Sequence, residues 1–306
     1  MSTDRPRPSD RHLAVVGPTA SGKSALAFEL ARCRGDCEIV TVDSMQVYRG
    51  MDIGTATPTP AEQADVPHHL LDIVDPDDDY TVSRFQSDCL AVLADIEARG
   101  KRALLVGGTG LYLQAVVDDL EIPGQFPEAR AELDAEPDTS ALFARLEGLD
   151  PTAAARMEPS NRRRVVRALE VTLGSGRPFS SYGPGLDTYP PSPFPIMGLE
   201  IERPLLDQRI EARYAEQIAA GFVAEVEALL ARPAGLSRTA RQALGYAEVL
   251  DHLEHGTPLD EAVDHAVRRT RRFARRQQRW FSRDPRITWL PVDGDLVEEA
   301  AAVLDG

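Results

Sequence analysis

The chain has 306 residues, 42% of them hydrophobic, and a formal net charge of −15. That length and apolar share suit one large α/β domain with an insertion, or two modest domains, and exclude wholesale disorder. No apolar run approaches the roughly 18 residues of a membrane span, and residues 1–11 lack a signal-peptide core, so a cytoplasmic protein is expected. The three cysteines, Cys33, Cys37 and Cys89, are too few for a disulfide framework and wrongly spaced for a zinc knuckle, and read as structural.

In chain order, residues 13–16 form a short apolar run that ends in a glycine-rich turn, and residues 25–31 have helical character. A second strand at 38–42 ends at Asp43, residues 85–99 read as an amphipathic helix, and a buried strand at 102–106 runs into Gly107-Gly108. Strands that alternate with helices imply a parallel sheet. From about 122 to 189 the pattern gives way to short helical stretches, at 140–146 and 161–173, divided by Pro and Gly. A strand at 196–201, long helices at 203–231 and 259–283 and a last strand near 287–290 complete the reading. The expected fold is a phosphate-loop α/β core in two parts, 1–121 and 190–306, around a helical insertion at 122–189.

The acidic total conceals two basic patches. Residues 267–286 hold nine arginines and one aspartate, a local charge of +8 that leaves −23 for the remainder. Arg162, Arg163, Arg164 and Arg167 form the other. Arg268, Arg272, Arg275 and Arg279 share one helical face by spacing, and such faces can hold a phosphate backbone. Phe273, Trp280 and Phe281 on the same helix read as core.

Gly17-Pro18-Thr19-Ala20-Ser21-Gly22-Lys23-Ser24 fits G-x-x-x-x-G-K-[ST] between a strand and a helix. Its backbone N–H groups can turn inward around phosphate oxygens at the positive end of the helix. Lys23 adds a point charge and Ser24 can ligate Mg2+. The chain has two lysines against 32 arginines, so a lysine at this position is notable. The loop specifies polyphosphate binding and not which polyphosphate. The strand ending at Val106 runs into Gly107-Gly108-Thr109-Gly110 where a nucleotide-hydrolysing motor would carry its magnesium-holding Asp; the carboxylate appears instead as Asp43, placed by topology at the carboxyl edge of the sheet.

These motifs, with Asp43-Ser44-Met45-Gln46-Val47-Tyr48, Asp52-Ile53-Gly54-Thr55-Ala56, Pro67-His68-His69-Leu70-Leu71-Asp72 and Gly107-Gly108-Thr109-Gly110-Leu111-Tyr112, resemble the tRNA dimethylallyltransferase (isopentenyltransferase) family. The resemblance continues at 163–170, 209–213, 221–222, 242–246 and 270–281, in order over about residues 13–290. Thr57 and Ala247 depart from it, since many members carry a basic residue at each. It implies transfer of a dimethylallyl group from dimethylallyl diphosphate to the N6 amine of adenosine 37 in tRNAs that read codons beginning with U. For that reaction Asp43 is the candidate general base, Thr19 is suited to stabilise the leaving diphosphate, and the resemblance implies the same role for Arg213. Contacts to the tRNA anticodon stem-loop are expected from Asp43, Ser44, Met45, Gln46, Thr109, Arg130, Arg163, Arg164, Arg167, Arg241, Gln242, Gly245, Tyr246, Arg272 and Arg275.

The residues by themselves leave duller roles open. Asp43 can cap the turn after its strand, and Arg209 and Arg213 can pair with Glu211 or Glu216 on their own helix. His68 and His69 read as loop residues with structural hydrogen bonds and no metal role. A small-metabolite kinase shares the phosphate loop but gives the basic helices no purpose. An adenylate isopentenyltransferase needs neither the insertion nor the basic helix, and an RNA-binding nucleotide switch would leave Asp43 idle. A monomer is expected.

Overall fold

The computed structural model describes residues 8–305. Six strands build one parallel sheet: β1 (Leu13–Val16), β2 (Cys37–Val42), β3 (His68–His69), β4 (Arg102–Gly107), β5 (Ile196–Glu200) and β6 (Ile287–Pro291), in the order β3-β2-β4-β1-β5-β6. Its helices are α1 (Lys23–Arg34), α2 (Pro60–Asp65), α3 (Val82–Ala98), α4 (Gly110–Val117), α9 (Arg203–Ala219), α10 (Phe222–Leu230), α11 (Arg238–Arg241), α12 (Tyr246–His255), α13 (Leu259–Phe281) and α14 (Leu296–Asp305). The intervening α5 (Pro127–Asp134), α6 (Thr139–Leu149), α7 (Pro151–Ala154) and α8 (Arg162–Ser175) belong to a separate compact unit, Asp118–Pro190.

The central strands are largely apolar because both faces of a parallel sheet are covered. On one face Ala14, Val16, Val40, Val42, Ala103, Leu105 and Ile196 pack against Phe85, Leu113, Phe222, Tyr246 and Phe281. On the other, Leu13, Val15, Ile39, Leu104, Val106, Met197 and Leu199 pack against Leu26, Leu30, Ala300 and Leu304 of α1 and α14. β1 lies between β4 and β5, where the winding reverses, and the loop after such a strand opens into the crevice that binds ligands in this architecture.

Three sequence expectations change. Residues 203–231 are two helices: α9 ends at Ala219 because Gly221 takes φ 100°, and α10 starts anew. His68 and His69 pair with Ile39 and Val40 as a short edge strand; His68 Nδ1 lies 2.7 Å from the Val66 carbonyl and His69 Nε2 2.8 Å from Glu38 Oε2. The last helix, α14, was not among the expected elements. The Asp118–Pro190 unit has its own core of Leu133, Leu142, Leu146, Val165, Val166 and Leu169. Buried Glu170 accepts the Phe126 N–H at 3.0 Å there.

His12 is fully buried at the head of the larger unit. Its Nδ1 accepts the Ala103 N–H at 3.0 Å, so Nε2 carries the proton and faces Glu97 Oε1 at 2.9 Å. Burial lowers the His12 pKa, with Glu97 opposing. A depressed histidine contributes stability that is complete above its unfolded value, about 6.5, and lost as pH falls below it. Thermal unfolding of wild type and His12→Phe should therefore differ by about 1–3 kcal/mol at pH 7.5, the cost of orphaning the Ala103 N–H. The gap should narrow toward pH 5.5; a gap independent of pH would remove His12 as the titrating group.

Candidate active site

The site forms at the carboxyl ends of β1, β2 and β4. After Val16 the chain turns through Gly17–Ser24 into α1. Gly22 caps that helix at φ 100°, with no side-chain cap. The first amides of α1 therefore lack intrahelical partners and point a partial positive charge at the loop. Ala20 sits at φ 64°, a left-handed conformation that costs a residue with a Cβ about 1 kcal/mol and persists only where neighbours over-determine it.

Those neighbours come from far along the chain. Arg213 Nη1, on α9, donates to Thr19 Oγ1 at 3.0 Å, and Arg209 Nη1 donates to the Ser21 carbonyl at 3.1 Å. Both arginines thus face the loop; among the described residues neither pairs with Glu211 or Glu216, and Glu211 binds Arg271 at 2.5 Å instead. Lys23 Nζ donates to the Pro18 carbonyl at 2.9 Å. Burial pulls its ammonium down to about 8; Asp43 opposes that shift and Arg213 adds to it. Burial also lowers the Arg213 guanidinium, against the charges of Tyr214, Asp43 and Tyr246. Ser21 Oγ is buried and has no hydrogen-bond partner among the described residues.

Asp43 follows β2 and is half-buried. Its Oδ1 accepts the N–H of Met45 at 2.8 Å and of Gln46 at 3.4 Å, so the capping role is real. Among the described residues no hydrogen bond reaches its Oδ2, and its charge acts on Lys23, Arg213 and Tyr112 together. One oxygen holds the turn, and the other is open to chemistry. Gln46 Nε2 is spent on the Thr55 and Ala56 carbonyls, both at 3.1 Å. Ser44 and Thr109 are half-buried at the same sheet edge, and Met45 leans on the core. Ser24 is exposed, and its hydroxyl has no partner among the described residues.

The surface candidates divide. Arg163, Arg164 and Arg272 are exposed and Arg275 half-exposed, and none has a carboxylate partner among the described residues. Arg167 binds Glu170 at 2.7 Å and the Pro123 carbonyl at 2.7 Å. Arg130 binds Asp134 at 2.8 Å, and Arg241 binds Glu254 at 2.5 Å. Gln242 is exposed, and Gly245 takes φ 85° to open α12. Tyr246 requires correction: it is fully buried against Phe222, its hydroxyl donates to Glu225 at 2.6 Å, and it cannot touch an RNA from there.

Sequence reasoning missed three residues. Gln277 on α13 accepts the Thr19 N–H and donates to the Gly108 carbonyl, both at 2.9 Å. Glu225 accepts the N–H groups of Asp52, Ile53 and Gly54 at 2.7–3.2 Å, and Gln217 donates to the carbonyls of Ile53 and Gly54 at 2.7 and 3.0 Å. The available signal was a neutral amide within an arginine-rich helix.

Residues 46–284 match the IPP transferase family and residues 11–73 the isopentenyl transferase family. The chain belongs to the tRNA dimethylallyltransferase family. It is 52% identical to the tRNA dimethylallyltransferase of Kineococcus radiotolerans, over 96% of this chain and 95% of that one. The Bifidobacterium longum enzyme of the same name is 45% identical over 97% and 91%. The crystal structure of a tRNA isopentenylpyrophosphate transferase from Bacillus halodurans superposes with TM-score 0.70 at 37% identity, covering 97% of this chain and 95% of that one. A eukaryotic dimethylallyltransferase acting on tRNA gives TM-score 0.76 at 26% identity over 93% and 74%.

For a member of this family the Lys23 ammonium has a measurable consequence. With a value near 8 in the free protein, the charge is present below that pH and lost above it. Pyrophosphate should bind about tenfold more weakly at pH 9 than at pH 7, and Lys23→Met should bind weakly at both. Calorimetric titration across that window checks it; an equally steep decline in the variant would assign the slope elsewhere.

Proposed function

We propose that the chain transfers the dimethylallyl group of dimethylallyl diphosphate to the N6 amine of adenosine 37, in tRNAs that read codons beginning with U, and releases diphosphate. The observation that carries this reading is one half-free carboxylate set beside two desolvated cations on a phosphate loop, in a chain of this family. The bond from the allylic carbon to the bridging oxygen breaks, and its electron pair leaves with the diphosphate. A carbon–nitrogen bond forms in its place, and the amine loses a proton.

The adenine amine is a poor nucleophile because its lone pair is drawn into the ring. Asp43 Oδ2 is the proposed proton acceptor, held in place because Oδ1 is already anchored to the turn. Charge that grows on the diphosphate is met by Lys23, by Arg213 with Thr19 and by the α1 amides. Among the described residues no group of three His, Cys, Asp or Glu is placed to hold a metal. Mg2+ often takes one or two protein oxygens and completes its shell with phosphates and water, and the open Ser24 hydroxyl fits that pattern. When bound, the ion would neutralise diphosphate charge.

A stacked base cannot reach Asp43, so the target nucleotide is taken to be flipped out. Ser44, Gln46 and Thr109 stand at that sheet edge to meet it. Arg163 and Arg164 on α8, with Arg272 and Arg275 on α13, are proposed to hold backbone phosphates; Arg130, Arg167 and Arg241 would have to leave internal partners to do so. A monomer is the proposed working unit. Among the described residues no helix is long and apolar enough to cross a membrane, and the cytoplasm is the proposed compartment.

Incubation with labelled dimethylallyl diphosphate, unmodified tRNA and AMP should label the tRNA alone. Label on AMP would move the chain to the free-nucleotide reaction, and phosphoryl transfer from ATP to a metabolite would end the proposal. Asp43→Asn keeps the turn's acceptor and removes the base; single-turnover rates should fall about 10²–10⁴-fold with tRNA affinity kept, and a rate near wild type would sink the assignment. Replacing Arg272 and Arg275 together by alanine should weaken tRNA binding and reduce its salt slope by about 1.5. An unchanged slope places the RNA elsewhere.

A further inference from the structure

Gln277 is buried on the inner face of α13, the helix whose Arg272, Arg276 and Arg279 are open to solvent. Its carboxamide makes two bonds of opposite sense. Oε1 accepts the Thr19 N–H at 2.9 Å and Nε2 donates to the Gly108 carbonyl at 2.9 Å. A backbone N–H needs an acceptor and a carbonyl needs a donor, so the partners themselves fix the orientation of the amide. The fit is close: a Cβ at Gly108 would overlap Gln277 Nε2, and a Cβ at Gly110 would overlap the ring of Trp280, three residues further along α13. Both glycines therefore lie under this helix, and Gln277 joins the loop after β1 to the loop after β4.

Thr19 is thereby pinned twice, at its N–H by α13 and at its hydroxyl by Arg213 of α9. The next residue is Ala20, held at φ 64°. A left-handed alanine persists where its surroundings leave it no alternative, and the Gln277 bond immediately before it is such a restraint. The Thr19 amide is also directed at a side chain, so the loop's anion-facing donors are the remaining ones.

We propose that Gln277 is a positioning residue that sets the phosphate loop in its diphosphate-receiving form by tying Thr19 to Gly108. The inference deepens the prenyl-transfer reading and rests on it for the identity of the donor, but the diphosphate-binding step can be measured alone. Gln277→Met keeps the volume and loses both bonds. Gln277→Glu keeps the acceptor while ionised and regains a donor when protonated, because a carboxylic acid offers one O–H and one acceptor oxygen as the amide offers N–H and C=O.

Pyrophosphate binding and steady-state kinetics with dimethylallyl diphosphate and tRNA test this on the full chain. Gln277→Met should weaken pyrophosphate binding and raise the KM for the prenyl donor at least tenfold, with the Kd for tRNA within twofold of wild type. Gln277→Glu should be defective at pH 8 and recover toward wild type as pH falls to 6, over a range where wild type gains little. A merely structural role would lower Tm and affect both substrates alike, with no recovery on acidification. Pyrophosphate affinity within twofold of wild type in Gln277→Met would overturn the proposal. Should that variant fail to fold, the absence of any pH recovery in Gln277→Glu would overturn it equally. A wild-type chain that binds pyrophosphate but does not prenylate tRNA would instead break the functional reading and leave the role of Gln277 standing.

Discussion

The site depends on keeping two cations, Lys23 and Arg213, desolvated beside each other with a single carboxylate, Asp43, acting on both. Removing a cation from water is costly, and two like charges in one cleft cost more. The structure offsets part of this with fixed dipoles: Lys23 on the Pro18 carbonyl and Arg213 on the Thr19 hydroxyl. What remains is a net positive cleft with the N-terminus of α1 at its base. A ligand with several negative oxygens relieves that imbalance more fully than water does, and so binding and charge stabilisation are one property of the site.

Such a cleft needs rigid walls, and these come from the topology. In a parallel sheet, every carboxyl end in the centre faces the same edge, so loops after β1, β2 and β4 meet although about ninety residues separate the first from the last. Apolar strands buried on both faces leave little room for them to shift. The helices then close the site from above: α9 brings Arg209 and Arg213, α10 fixes the Asp52–Gly54 turn through Glu225, and α13 brings Gln277. Gln46, bonded to the carbonyls just after that turn, inherits its position from α10.

What the sequence made legible follows from distance along the chain. The phosphate loop is contiguous, so its residues and their chemistry could be read in place. Asp43 could be placed too, because strand order alone brings it to the same edge. Arg213 could not be assigned by spacing, since an arginine three residues from Glu216 on a helix is as readily a surface ion pair; only the tertiary bond to Thr19 decides. Gln277 lies 258 positions from its loop partner, and its one local sign, a neutral amide within an arginine-rich helix, does not point to that partner. Family resemblance placed Tyr246 at the RNA because it carries over positions and not exposure, and burial against Phe222 corrects it. The two-residue β3 is too short to show a period, and the apolar period of α9 runs through Gly221 without registering the turn.

The RNA face proposed on α13 is compatible with a net charge of −15. On α13, Arg269 and Arg271 are neutralised, by Glu248 and by Asp207 with Glu211. Arg268, Arg272, Arg275, Arg276 and Arg279 have no carboxylate partner among the described residues. Charge is thus sorted by face within one helix: paired where α9 and α12 pack against it, unpaired where it meets solvent. At physiological salt the screening length is about 8 Å, so a phosphate at this face responds to the local arginines far more than to acids on the far side of the body. For the RNA contact proposed at this face, the distribution of charge along α13 therefore matters more than the total.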